Sequence, residues 1–203
     1  KPLELPPEVV PYAENKDQHL GKYILTTLLG SGGLGEVFRA WDTELRRWVA
    51  VKLLKDIGDN MAREWLQREA QLAAGLDHPN IIRIYDVGEG VGVPFIAMQL
   101  VEGQTLSSAQ KEMSLSEKVT AVQKVVEALR YAHGKGVIHR DLKPENVMVD
   151  GNGEVFVLDF GLAKEIRVTD QTLSMSGVIV GTPSYMPPEQ VRGKADRQSD
   201  VYG

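Results

Sequence analysis

The stretch His139-Arg-Asp-Leu-Lys-Pro-Glu-Asn146 decides how the rest of this chain is interpreted. It places a carboxylate (Asp141), a cation (Lys143) and a carboxamide (Asn146) close together in one short segment. Phosphoryl transfer needs such a set, because a base must orient the attacking hydroxyl, a positive charge must face the γ-phosphate and an oxygen must bind magnesium. A polar loop after a helix is the plain alternative, but it does not require these residue types at these spacings.

A second short motif, Asp159-Phe-Gly161, begins 13 residues after Asn146 and directly follows the apolar run Val155–Leu158. A carboxylate held at the end of a strand is a good ligand for a hard cation such as Mg²⁺. Standing alone, this tripeptide would predict only a turn. The tripeptide therefore indicates a metal ligand only because it follows the first motif.

A glycine cluster near the start of the chain has the pattern G-x-G-x-x-G at Gly30, Gly32 and Gly35. Glycines let backbone amides approach phosphate oxygens, although a glycine-rich hairpin would look the same. A Rossmann loop is excluded because residues 37–40 read as a strand and not a helix. A Walker loop is excluded because Glu36, not lysine, follows Gly35.

The next strand, Val49-Ala-Val-Lys52, places a lysine among apolar neighbours. A lone strand lysine is usually solvated, but Lys52 would hold the α- and β-phosphates if this is a nucleotide site. It would then need a carboxylate on the following helix, and Glu64 and Glu69 compete for that role. Glu64 lies in the first turns, where a carboxylate complements the helix dipole. We therefore prefer Glu69, which lies deeper in the helix.

Composition limits the classes of protein to which the chain could belong. Its 203 residues suit one domain or two lobes, with 42% hydrophobic and 25% charged residues. The net charge of −5 indicates no nucleic-acid partner. The absence of cysteine excludes disulfides and thiolate metal sites and fits a reducing, cytoplasmic location. No long apolar run predicts membrane contact by this segment. Since the chain begins at Lys1, we expect it to be part of a longer polypeptide.

The order of predicted elements is a strand-rich half followed by a helix-rich half, which predicts an α+β fold. Prolines make residues 1–20 an extended lead-in. Strands are predicted at 23–29, 36–40, 48–54, 81–87 and 94–100, and a helix at 61–76. Ser114 and Glu117 form a capping box at the start of a second helix. Helical spacing predicts that this helix buries an apolar stripe of Val119, Val122, Val126 and Leu129.

Taken together, these motifs resemble the eukaryotic-type (Hanks-type) protein kinase catalytic domain, in a form similar to bacterial Ser/Thr kinases. They occur over residues 21–203 in the family's order, with Pro187-Pro-Glu189 in place of Ala-Pro-Glu. The resemblance implies a bilobal fold. Residues 21–101 would form a mainly β N-lobe with one regulatory helix and the hinge, and 102–203 an incomplete helical C-lobe with activation segment 159–189.

The resemblance also implies a role for each motif residue, with ATP and Mg²⁺ as cofactors and a protein as substrate. Asp141 would be the catalytic base and Lys143 would steady the γ-phosphate, while Lys52 would pair with Glu69. Asn146 and Asp159 would bind magnesium. Met98 would be the gatekeeper residue. The nucleotide would contact Gly30, Gly32, Gly33, Gly35, Val37, Ala50, Lys52, Met98, Gln99, Val101 and Met148. His139 and Phe160 would be packing residues.

Substrate class and regulation follow from the same resemblance. Lys143, two residues after Asp141, and Thr182 in Gly181-Thr-Pro183 are typical of Ser/Thr kinases. Thr182 would bond Asp141 and Lys143. Arg140 would pair with a phosphate on the activation segment. Ser174 and Ser176 are the favoured autophosphorylation sites, and Thr172 is a further candidate. A Ser/Thr-rich loop without a regulatory role is the alternative.

The chain departs from the family at its end, because only the first turn of the long central C-lobe helix is present. The resemblance implies that Asp200 braces the His-Arg-Asp loop. We expect the incomplete lobe to expose part of its apolar stripe and to be poorly stable or to self-associate through that surface. Two other functions remain open: a nucleotide-binding regulatory module without turnover, and a small-molecule phosphotransferase.

Overall fold

The computed structural model describes residues 5–32, 35–54, 60–90, 92–160, 185, 187–191 and 196–202, with the backbone alone at 60–66 and 191. The chain divides into two compact units. The first comprises residues 1–57 and 84–100, and the second comprises 58–83 and 101–203. The predicted lobes were contiguous at 21–101 and 102–203, so residues 58–83 fall on the other side of the division.

The first unit is built on a six-stranded antiparallel sheet. Its strands are β1 (His19–Leu20), β2 (Tyr23–Gly32), β3 (Gly35–Asp42), β4 (Arg47–Leu54), β5 (Ile84–Gly90) and β6 (Val93–Gln99), in the spatial order β1-β2-β3-β4-β6-β5. Alternation along β4 and β6 places Val49, Val51 and Ala97 in a buried cluster with Tyr23 and Phe95. The opposite face of the same strands is therefore left for the candidate site.

The segment before the sheet is not extended as predicted. It forms a short helix, α1 (Val10–Ala13), a 3₁₀ turn (Lys16–Gln18) and strand β1. Val9 is fully buried, and the His19 ring bonds the Ala13 carbonyl oxygen at 2.9 Å. Pro11, the second residue of α1, explains the error, because the fixed φ of proline suits the first turn of a helix as well as an extended chain.

The second unit combines helices with a three-stranded sheet. Helix α2 spans Asn60–Ala74, strand β7 Gly103–Thr105, α3 Leu106–Ala109 and α4 Leu115–Gly134. A 3₁₀ turn at Pro144–Asn146 leads into β8 (Val147–Asp150) and β9 (Val155–Val157), which pair as an antiparallel hairpin. Short helices α5 (Pro188–Val191) and α6 (Ser199–Tyr202) follow. The predicted α+β class is confirmed.

The segment after α2 explains why this helix belongs to the second unit. The Asn80 side chain donates to the Val155 carbonyl oxygen at 2.9 Å, and the Ile82 amide donates to that of Val157 at 3.0 Å. The strand predicted at 81–87 consequently begins only at Ile84, because residues 80–82 bond β9 instead. These contacts attach α2 to the hairpin that carries the second motif.

Helix α4 begins with the predicted capping box, in which the Ser114 amide donates to Glu117 and the Glu117 amide donates to the Ser114 hydroxyl. The predicted apolar stripe is buried only in part, as expected for an incomplete lobe. Val119, Val122 and Val126 are half exposed, and of the predicted stripe only Leu129 is buried. The buried face carries small residues beside Val125 and Leu129, namely Ala121, Ala128 and Ala132. Small side chains let a helix approach the β7–β9 sheet closely, which favours the alanine face.

Candidate active site

The loop that carries the first motif is held by a buried carboxylate on α6. Asp200 is fully buried, and its two oxygens accept the backbone amides of His139 at 2.8 Å and Arg140 at 2.7 Å. The His133 ring also bonds Asp200, at 2.7 Å. Arg140 has φ +66, a conformation that non-glycine residues seldom adopt. The carboxylate thus fixes an unfavourable backbone turn immediately before Asp141.

His139 is a buried packing residue whose protonation state follows from its bonds. Its Nε2 lies 2.7 Å from the Leu158 carbonyl oxygen, which can only accept, so Nε2 carries the proton. Its Nδ1 then accepts the Asp141 amide at 3.2 Å. Burial lowers the pKa of His139, which agrees with a neutral ring. The ring packs on Phe160 with centroids 4.9 Å apart.

The carboxylate of Asp141 is held from two sides. Lys143 Nζ lies 3.0 Å from Oδ2, and Asn146 Nδ2 donates to Oδ2 at 3.1 Å and to the backbone oxygen of Asp141 at 2.8 Å. Asp141 keeps a quarter of its side chain exposed. A fixed and partly open carboxylate is what a base that receives a substrate hydroxyl requires.

Asn146 and Asp159 have the chemistry of a magnesium pair. The Asn146 amide nitrogen is directed at Asp141, so the donor atom this residue offers a cation is its Oδ1 oxygen. The Leu158 amide donates to the Asn146 backbone oxygen at 2.9 Å, which places Asp159 next to this turn. Mg²⁺ binds through one or two side-chain oxygens together with water and substrate phosphates. The residues present therefore fit the ion.

Glu69 was predicted to pair with Lys52, and in the second unit it lies near the candidate regulatory arginine. Its Oε2 is 3.9 Å from Arg140 Nη1, and both side chains are mostly buried. This separation is too long for a direct hydrogen bond. The contact is therefore an electrostatic one between two residues that had been given separate roles.

The first unit gathers the predicted nucleotide residues on one face of its sheet. Val37 is directly opposite Lys52, and Ala50 is directly opposite Met98, so these four side chains share a face. Lys52, Ala50 and Met98 are buried. Gln99 ends β6, while Val101 and Met148 belong to the second unit. The face therefore combines an apolar surface with one buried cation.

The glycines of the loop differ in what a side chain would meet. A Cβ at Gly30 or Gly32 would have no described atom within 4 Å. At Gly35, where φ is +140, it would lie 1.8 Å from the Leu53 backbone oxygen. The pairing of β3 with β4 therefore requires glycine at position 35. Gly33, Thr172, Ser174, Ser176 and Thr182 lie outside the described residues.

Two residues near the loop have no counterpart among the predicted site residues. His133 bonds Asp200, and Gln190 on α5 donates to the Arg140 backbone oxygen at 2.8 Å. Neither belongs to a motif with a spacing rule: His133 bonds the side chain of Asp200, and Gln190 bonds the backbone of the loop. The one available signal was their nearness in sequence to a helix end and to Pro187-Pro-Glu189.

These features define an α+β fold of two units, and comparison with known proteins identifies its family. The model of the protein kinase domain matches residues 23–203, and the chain belongs to that family. A serine/threonine-protein kinase of Myxococcus xanthus, pkn3, is 44% identical over 92% of this chain and 37% of its own length. A probable serine/threonine-protein kinase of Streptomyces coelicolor is 40% identical over 90% of this chain and 28% of its own.

Solved structures agree with that assignment. The kinase domain of Mycobacterium tuberculosis PknI has a TM-score of 0.72 and 30% identity, covering 90% of this chain and 70% of that one. The chain spans about a third of the length of the curated relatives described above. No described helix is long and apolar enough to cross a membrane.

Proposed function

We propose that the protein transfers the γ-phosphoryl group of ATP to serine or threonine hydroxyls of protein substrates. The observation that carries this proposal is the Asp141 carboxylate, fixed by Lys143 and Asn146 beside Asp159. The names of the relatives support the Ser/Thr class, and Lys143 two residues after Asp141 agrees with it. ATP, Mg²⁺ and a protein substrate are the partners we assign, in the cytoplasm.

Each residue has a defined task in this proposal. Asp141 accepts a hydrogen bond from the substrate hydroxyl and takes up its proton as the new oxygen–phosphorus bond forms. The bond between the γ-phosphorus and the bridging oxygen breaks, and ADP leaves with that oxygen. Lys143, now 3.0 Å from Asp141, is close enough to face the transferred group. Asn146 and Asp159 would hold Mg²⁺, which neutralises charge on the phosphates when bound. Lys52 would bind the nucleotide, oriented by Glu69, and Thr182 would bond Asp141 and Lys143.

Regulation by phosphorylation of the activation segment belongs to the same proposal. Arg140 would receive the phosphate of Thr172, Ser174 or Ser176, because a guanidinium binds phosphate through paired hydrogen bonds. Its nearness to Glu69 supports this assignment, since a phosphate that draws Arg140 away would release Glu69. Intact mass after incubation with Mg-ATP should show added phosphate. Active enzyme that gains no mass would contradict this part.

Substitution of the base tests the main proposal. We expect Asp141→Asn to lower phosphorylation of a basic protein such as histone by about 10²- to 10⁴-fold, because the amide cannot accept the proton. ATP binding should remain close to the unmodified value. Asp17→Asn is the matched control, since Asp17 is exposed in the lead-in. Undiminished phosphoryl transfer by Asp141→Asn would contradict the assignment of Asp141 as the catalytic base.

The same measurements separate the alternative functions. Nucleotide binding without transfer by the unmodified chain would favour a nucleotide-binding regulatory module. Transfer to small hydroxyl compounds but not to protein would favour a small-molecule phosphotransferase. The fixed carboxylate and cation pair favours turnover over binding alone.

A further inference from the structure

Gln190 contacts the backbone at the residue that precedes the proposed base. It lies on α5, is 93% buried, and donates its Nε2 hydrogen to the Arg140 carbonyl oxygen at 2.8 Å. That oxygen belongs to the peptide bond that joins Arg140 to Asp141. A buried side chain that bonds this carbonyl therefore acts on the peptide group that is attached directly to the Cα of Asp141.

The other polar groups around this peptide are also bonded. The Asp141 amide, at the opposite end of the same peptide plane, donates to His139 Nδ1 at 3.2 Å. The Arg140 amide, one peptide earlier, donates to Asp200 at 2.7 Å. Asp200 and His139 thus hold the N–H groups, and Gln190 holds the carbonyl oxygen. Rotation of the Arg140–Asp141 peptide would break the bonds at both of its ends.

This peptide needs such support because of its conformation. Arg140 has φ +66, a left-handed conformation that is strained for a residue with a Cβ. A strained peptide relaxes unless its surroundings fix it. We propose that Gln190 is a positioning residue for catalysis, which holds the Arg140–Asp141 peptide plane so that the Asp141 carboxylate stays aimed at the substrate hydroxyl.

The position of α5 gives this contact a second consequence. Glu189, the preceding residue, accepts a hydrogen bond from the Ser199 hydroxyl at 2.9 Å, and Ser199 begins α6 next to Asp200. Two neighbouring side chains of α5 therefore reach the loop and the helix that braces it. A shift of α5 would be transmitted to Asp141 through Gln190. The inference rests on the proposed role of Asp141 as base.

Two substitutions distinguish positioning from simple packing. Gln190→Met keeps the length and volume of the side chain but cannot donate a hydrogen bond. Gln190→Glu cannot donate when ionised but can donate when protonated, and burial beside a carbonyl oxygen favours the protonated acid. We expect Gln190→Met to lower kcat about tenfold or more at every pH with an unchanged KM for ATP. Gln190→Glu should match it at pH 8.5 and approach the unmodified kcat toward pH 5.5.

The pH comparison is made as the ratio of variant to unmodified kcat, measured in the longest natural chain that carries this sequence. The other ionisable groups around the loop are the same in both proteins, so their contributions cancel in the ratio; they are Glu69, His133, His139, Arg140, Asp141, Lys143, Glu189 and Asp200. Gln123→Met and Gln123→Glu are matched controls, because Gln123 is exposed on α4. Both controls should keep a ratio near one.

A measurement that does not depend on turnover separates this inference from the proposed function. The ¹H and ¹⁵N amide resonances of Asp141 report the peptide plane directly, and Gln190→Met should shift them while Gln123→Met should not. Unchanged resonances, or a Gln190→Glu loss of kcat that matches Gln190→Met at every pH, would overturn the positioning role. If Asp141→Asn kept full activity while Gln190→Met shifted the Asp141 amide resonances, the role of Asp141 as base would be rejected. The contact between Gln190 and the Arg140 carbonyl would be retained.

Discussion

At the scale of single residues, His139 shows how bonding fixes a protonation state. Its Nε2–H donates to Leu158 and its Nδ1 accepts the Asp141 amide, so a second proton would face an N–H group. Burial, the largest influence on this group, lowers the pKa of His139 below its usual 6.5. The buried His139 ring therefore also makes the stability of the fold depend on pH.

We expect the free energy of unfolding to fall as the pH drops below about 6.5. In the unfolded chain His139 binds a proton in that range, while in the folded chain it does not, so the unfolded state binds more protons. Each such proton contributes a slope of at most about 1.4 kcal/mol per pH unit. Urea unfolding at pH 5.5, 6.5 and 7.5 measures the slope.

His139→Phe is the comparison for this prediction, because phenylalanine can still pack on Phe160 but cannot bind a proton. The variant should be less stable at pH 7.5, since the Leu158 oxygen and the Asp141 amide lose their partner. Its stability should decline less between pH 7.5 and 5.5. Equal slopes in both proteins would show that His139 does not titrate as its environment indicates.

At the scale of elements, the β2–β3 hairpin contains glycines with different structural roles. Gly35 has φ +140 and lies against the Leu53 backbone, whereas Gly32 has open space around it among the described atoms. Gly35 is therefore required by the sheet, whereas the space beside Gly32 is available to a ligand. The G-x-G-x-x-G pattern does not distinguish the two, because both positions carry the same residue.

We expect Gly35→Ala to destabilise the protein by about 2 kcal/mol or more, because a Cβ there would overlap a backbone oxygen and occupy a strained φ. Gly32→Ala should cost at most about 1 kcal/mol of stability while weakening nucleotide binding. Thermal melting with and without Mg-ATP measures both effects. Equal losses of stability from the two substitutions would contradict the separation.

Other elements show which parts of the fold were accessible to sequence reasoning. The α4 start was predicted because Ser114 and Glu117 act on each other's backbone within one turn. The lead-in was not, because burial of Val9 depends on a sheet formed by later residues. Likewise, the pairing of residues 80–82 with β9 joins segments about 75 residues apart. Local chemistry was predictable, and long-range pairing was not.

The candidate site divides along the same line. Asp141, Lys143 and Asn146 lie within six residues, so their mutual contacts follow from one short segment. Gln190 reaches the loop from 50 residues away, and His133 acts on it through Asp200, which lies 67 residues further along the chain. No spacing rule connects these residues. The roles of Lys52, Glu69 and the phosphorylation sites stay predictions.

At the scale of the whole chain, α4 presents an apolar stripe to solvent. Leu115, Val119, Val122 and Val126 recur at helical spacing, and their exposed fractions are 78%, 50%, 56% and 56%. Helical spacing predicted an apolar stripe here, and the incomplete lobe was expected to expose part of it, which the three valines confirm. The smaller alanine face is the one that packs on the sheet. A continuous apolar surface of this kind favours association with another surface.

We expect the 203-residue chain to associate with itself through this stripe in a concentration-dependent way. The double substitution Val122→Glu with Val126→Lys should reduce association, because it places charges in the stripe while adding a Glu–Lys pair with spacing that stabilises a helix. Sedimentation velocity over a hundredfold range of concentration measures the change in mass. Leu45→Glu, at an exposed turn in the first unit, is the control and should leave association unaltered. If the unmodified chain is a monomer throughout that range, then its apolar stripe is not an association surface, and these valines are tolerated in water because the helix is fixed by its opposite, alanine-rich face.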